Sequence, residues 1–306
     1  WKNGQGDSLL TGLTYATDAT ATSNVGSGYA STASGGTLGG AAAGNYTLSY
    51  ATGGFAVTPA SLTVTPNGTM TYGSTSPSFG FTASGWKNGQ SDANLTSLSY
   101  ATDATATSNV GSYASTASGG TLGGAAAGNY TLSYAAGGFA VTPAALTVTP
   151  NGTMTYGATA PTYAFTASGW KNGQGDANLT GLSYATDATA TSNVGSYAST
   201  ASGGTLAGAA AGNYTLSYAA GGFSVTPAIL TVTPSGTMTY GATAPTYAFT
   251  ASGWKNGQGD ANLTSLSYAT DATATSNVGS YASTASGGTL AGAAAGNYTL
   301  SYAAGG

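Results

Sequence analysis

The chain is one unit written almost four times. The string Trp-Lys-Asn-Gly-Gln begins at Trp1, Trp86, Trp170 and Trp254, at spacings of 85, 84 and 84 residues. The odd residue is an extra glycine in the first copy, Gly26-Ser27-Gly28-Tyr29 against Gly111-Ser112-Tyr113 in the second. Self-similarity at a fixed period dictates a repeat architecture. This period is too long for helical solenoids of ~34 to 47 residues and for propeller blades. It is long enough for a small core of its own, since isolated domains become marginal only below ~40 residues. The expectation is a linear tandem array of small domains, beads with no central core. Complete repeats are expected at 60–143 and 144–227. Partial ones are expected at 1–59, which lacks its opening strands, and at 228–306, which lacks its closing strand. The chain starts in mid-period and stops where other copies continue into Phe-x-Val-Thr-Pro, as a window cut from a longer array would.

Within one period the apolar residues alternate. Leu62 and Val64 share a face, as do Met70 and Tyr72, and Phe79 and Phe81. Period-2 patterns bounded by Gly, Pro and Asn are the strand signature. Pro66-Asn67-Gly68 reads as a turn between two of these strands. The stretch from Trp86 to Leu95 reads as a loop in which Asp92 caps one short helical turn. Strands follow at Leu98-Tyr100 and from Val110 to Ser115. Gly119 to Gly128 holds too much glycine for a stable helix. Tyr130, Leu132 and Tyr134 then alternate up to Gly137-Gly138, with Phe139 and Val141 beyond. That pattern predicts a two-residue hairpin, because a primed turn needs positive φ at its centre. Prolines at 59, 143 and 227 stand on the junctions between periods, where they remove backbone freedom and stiffen the connection. The fold class is therefore all-β, and the aromatic residues at strand spacing are core-forming.

Charge is nearly absent. Lys and Arg total 4 and Asp and Glu total 8, with no histidine and no cysteine. A soluble domain commonly devotes about a quarter of its residues to charge. Neutral surfaces repel one another weakly, so self-association into filaments or bundles is expected. Four lysines in a chain of net charge −4 cannot neutralise a phosphate backbone, which excludes nucleic acid as a partner. The absence of cysteine excludes disulfides, thiolate metal sites and Cys nucleophiles. No apolar run reaches the length of a transmembrane helix. General acid–base catalysis wants His or paired carboxylates; the only pair available, Asp92 and Asp103 and their equivalents, reads as a solvated loop aspartate and a turn aspartate, so no enzyme and no cofactor is expected.

The order of blocks is itself informative. It runs Leu-Thr-Val-Thr-Pro, Thr-Tyr-Gly with a proline four residues on (Tyr72, Gly73, Pro77), Gly-Trp-Lys-Asn-Gly, Asn-Val-Gly-Ser-Tyr, Gly-Asn-Tyr-Thr-Leu and Val-Thr-Pro-Ala. This series resembles the MBG-type repeats of bacterial filamentous-haemagglutinin-like surface adhesins, over the whole chain. The resemblance implies β-sandwich-like or β-grasp-like modules on an exported cell-surface protein, with a stalk or adhesive role. It carries no catalytic residues over.

Two sets of side chains are candidates for a site. Trp86, Trp170 and Trp254 stand beside a polar loop, where an exposed indole could stack on glycans of another cell or a host surface. Asp92, Asp176 and Asp260 supply one hard oxygen ligand set per Gly-rich loop and are weak calcium candidates, since the EF-hand spacing is missing. The leading expectation is a structural array that forms or stiffens an extracellular filament, stalk or biofilm matrix. The alternative is an adhesin binding module.

Overall fold

The computed structural model describes residues 1–306. It is built of strands and short 3-10 turns, with no α-helix. Packing divides the chain into two units, Trp1–Thr142 and Pro143–Gly306. The first unit holds β1 (Leu10–Thr17), β2 (Gly26–Leu38), β3 (Gly53–Val57), β4 (Ala60–Thr71), β5 (Ser78–Ser84), β6 (Leu95–Thr102), β7 (Gly111–Leu122), β8 (Tyr130–Tyr134) and β9 (Gly137–Thr142). The second holds β10 (Ala144–Thr155), β11 (Thr162–Ser168), β12 (Leu179–Thr186), β13 (Gly195–Leu206), β14 (Tyr214–Tyr218), β15 (Gly221–Thr226), β16 (Ala228–Thr237), β17 (Thr246–Ser252), β18 (Leu263–Thr270), β19 (Ser283–Leu290) and β20 (Tyr298–Tyr302).

In the first unit β4 to β9 make one six-stranded sheet of order β5-β4-β9-β7-β6, with β8 also paired to β4. At its centre the first strand runs parallel to the last. Ala60–Val64 pairs with Tyr130–Tyr134, and Asn67–Thr71 pairs with Gly138–Thr142. An antiparallel hairpin flanks each side, β4–β5 and β6–β7. The two ends of the sheet approach each other, because Phe79 of β5 stacks on Tyr100 of β6 at 5.2 Å. One sheet thus folds over its own core, which is how the module becomes sandwich-like. Leu62, Val64 and Met70 of β4 are buried while Thr63 and Thr65 are half-buried, the alternation read from the sequence. In the second unit β10 to β15 repeat the arrangement.

Two turn readings need correction. Pro66-Asn67-Gly68 does not turn the chain; β4 runs through it. Gly137-Gly138 closes no hairpin, because β8 and β9 run in the same direction along β4. None of these three glycines has positive φ. Their lack of a Cβ serves close approach instead. A Cβ on Gly68 would stand 2.7 Å from the Phe139 ring, and one on Gly137 would stand 1.7 Å from the Pro66 carbonyl oxygen. Pro66 is tolerated inside a central strand because its missing N–H faces the gap between β8 and β9. Two residues earlier, Val64 O accepts from Ala135 N–H on that same side. The true turn lies beyond β4, at Gly73 with φ 77°. In the Trp86–Leu95 loop, Ser91 rather than Asp92 is the cap residue, and its N–H donates to Asn94 Oδ1 at 3.1 Å.

Sequence identity does not guarantee identical structure. The segment Tyr46–Tyr50 repeats β8 residue for residue yet forms no strand, since β1-β2-β3 offers it no counterpart of β4. Phe55 is 43% exposed where its equivalent Phe139 is 2% exposed. Both differences follow from the missing neighbour and not from local preference.

Candidate functional site: the face between successive repeats

The buried core continues across the repeat boundary. In the second unit one buried cluster joins Met154, Tyr156 and Phe223 to Leu230, Leu263 and Tyr298. The contact is built around the Thr-Tyr-Gly turn that follows β10. Tyr156 meets Tyr298 edge-on at 5.5 Å, and its hydroxyl accepts from Gln258 Nε2 at 3.2 Å. The Lys255 stem lies over Gly157, where a Cβ would stand 2.6 Å from it. Gly157 has φ 76°, so this position needs glycine both for its conformation and for the lysine above it. Tyr156 is 3% exposed.

Trp254 holds this face in place. Its ring meets Tyr298 edge-on at 5.3 Å, and its indole N–H donates to Asp260 Oδ1 at 2.7 Å. The Tyr298 hydroxyl accepts from Lys255 N–H at 2.8 Å and donates to Gln258 Oε1 at 2.5 Å. Burial raises the Tyr298 pKa; the Lys255 N–H opposes that rise and the neighbouring Tyr156 phenol adds to it. The sequence candidates are therefore brought together in pairs. Trp86 donates to Asp92 and Trp170 to Asp176, each at 2.7 Å. These indoles are half-buried. No group of three or more His, Cys, Asp or Glu side chains gathers around any of the aspartates.

Sequence reasoning missed the asparagine clamp. Asn297 is 1% exposed. Its Oδ1 accepts from Val194 N–H at 2.8 Å, and its Nδ2 donates to Asn193 Oδ1 at 2.8 Å and to Ala293 O at 3.0 Å. The first unit builds the same clamp from Asn129, which accepts from Val25 N–H and donates to Asn24 Oδ1, both at 2.8 Å. Asn88 and Asn256 add a second tie, to Ala21 O at 3.2 Å and Ala190 O at 3.1 Å. Asn129 and Asn297 both lie in Asn-x-Thr triplets, which on sequence alone read as glycan acceptors or plain Asn/Thr abundance.

What this arrangement defines is a tandem array of all-β modules whose buried packing and hydrogen bonds continue from one repeat to the next. Residues 62–140, 146–224 and 230–306 each match the MBG domain (YGX type). The chain belongs to that family, whose members are non-catalytic repeats found in bacterial surface proteins. The Tyr-Gly-x of the description stands at Tyr72-Gly73-Ser74, Tyr156-Gly157-Ala158 and Tyr240-Gly241-Ala242. No curated protein matches the chain. No helix is long and apolar enough to cross a membrane.

Proposed function

We propose that the chain is a structural segment of an exported bacterial surface protein, stiffening an extracellular filament, stalk or matrix, and that it is not an enzyme. One observation carries this reading: Tyr156 of the Thr-Tyr-Gly turn is 3% exposed and packs edge-on against Tyr298 of the following repeat at 5.5 Å. Successive repeats that share a core and a buried asparagine clamp resist bending. The experiment is a pair of spin labels on Thr180→Cys and Thr264→Cys, exposed and equivalent positions of two successive repeats. The chain has no cysteine of its own, so no other site is labelled. A single narrow distance distribution supports the stiff array, and a broad one overturns it. Lateral association would rest on apolar and backbone contacts, given so few charges, and should persist in about molar salt, where surface ion pairs are screened.

A second reading, adhesion to glycans, rests on Trp86, Trp170 and Trp254, which stay half-buried and not buried. Quenching of tryptophan emission by a glycan panel supports it, and the lack of any response leaves the structural reading alone.

A further inference from the structure

We infer that each complete repeat is a shear clamp: tension along the array is carried by its first strand sliding against its last, at a point where sliding is sterically blocked. That the array works under load rests on the structural reading above; the clamp itself rests on topology. The chain enters the repeat at Ala60, the start of β4, and leaves it at Thr142, the end of β9. These strands are parallel and hydrogen-bonded neighbours. A pull outward at both points therefore drives them lengthwise past each other. The ladder bonds lie across the direction of motion, so they share the load instead of opening one at a time. β8 extends the same strand line, so β4 is paired along both of its halves. Little slack intervenes between repeats, since β15 ends at Thr226 and β16 starts at Ala228.

The block sits at the gap between β8 and β9. Gly137 passes so close to Pro66 O that no side chain fits there. The Ser115 hydroxyl, fully buried, lies 3.2 Å from Gly138 O and 3.4 Å from Pro66 O and fills the rest of the gap. Under tension β9 advances relative to β4, which brings Ala136 and then Ala135 toward Pro66. Both carry the Cβ that Gly137 lacks. The ring of Phe139 must also leave its seat over Gly68. Slip in the loaded direction thus meets a steric stop before any strand is free. The second unit repeats the device with Pro150, Ser199 and Gly221, where a Cβ would again stand 1.7 Å from the proline carbonyl oxygen.

The test is single-molecule pulling on the full chain. Pulled from its two ends, each complete repeat should rupture as one event and release ~28 nm of contour, at up to ~3.6 Å per residue. The comparison chain carries handles on Thr75→Cys and Thr142→Cys, both exposed. These load β4 and β9 from the same end and peel them apart. Forced rupture follows the unfolding rate along the loaded path, so end-pulling should need at least about twice the force of peeling. Equal forces in the two geometries would overturn the clamp while leaving the stiff array, judged by the label distances, untouched. Unloaded hydrogen exchange of the comparison chain confirms its fold, and Ser76→Cys replaces Thr75→Cys if that variant misfolds.

Discussion

Gly137 and Pro66 meet so closely that a single added methyl group on the glycine would lie 1.7 Å from the proline carbonyl oxygen. The neighbouring Gly138 has open space where its Cβ would be. The two positions make a paired experiment. Gly137→Ala must displace backbone, and we expect a loss of roughly 3 kcal/mol, the upper part of the overpacking range. Gly138→Ala strains nothing and restricts the unfolded chain, so a gain of about 0.5 kcal/mol is expected. Hydrogen exchange of the β4 amides reads the changed repeat alone. Equal effects at both positions would refute the close-approach explanation.

The Thr-Tyr-Gly turn offers a second internal control. Tyr156→Ala removes a buried ring and its bond to Gln258, and large-to-small changes of this kind cost about 3–5 kcal/mol. Tyr240→Ala alters an exposed ring and should stay within about 0.5 kcal/mol. Denaturant unfolding distinguishes them. The first variant should also split the transition of residues 143–306, because that ring is part of the core the two repeats share. A single unsplit transition in Tyr156→Ala would show that the remaining contacts, the Asn297 clamp and the Asn256 tie among them, couple the repeats without it.

Much of the fold was legible in the residues, and the two wrong turns share one cause. Alternation of Leu62, Val64 and Met70 located β4, and the repeat fixed the architecture. Glycine was misread twice, at Gly68 and Gly137. A glycine admits both positive φ and close approach, and the deciding neighbours, Phe139 and Pro66, are 71 residues away in sequence in each case. The site was legible only in its parts. Trp254 and Asp260 stood out as separate candidates, but nothing local said that they bond to each other. Asn297 was hidden because its partners, Asn193 and Val194, lie in the preceding period. The best available signal was the Asn-Tyr pair ahead of every Thr-Leu-Ser-Tyr.

Phenol ionisation gives stability a pH dependence. Burial raises the pKa of Tyr100, Tyr184 and Tyr298 above the ordinary 10.0. The folded state then holds these protons more tightly than the unfolded chain does. Their contribution is complete below pH 10.0 and is lost as pH rises through the raised values. Unfolding midpoints should therefore fall as pH climbs beyond that point. Tyr298→Phe, lacking one of the three protons, should show a shallower fall. An equally steep fall in that variant would assign the effect to other groups.

The pairing of Trp170 with Asp176 sets the last expectation. Asp176→Ala strands a half-buried indole N–H, and loss of such a bond costs about 1 kcal/mol. The change should shift tryptophan emission and lower the stability of that repeat. Excess calcium should leave the unaltered chain unmoved on both measures. Each loop offers one carboxylate, with one oxygen already held by the indole at 2.7 Å, whereas calcium takes about six to eight oxygen ligands. A calcium-dependent rise in the unfolding midpoint, abolished in Asp176→Ala, would make these loops metal sites, with the indole bond giving way to the ion.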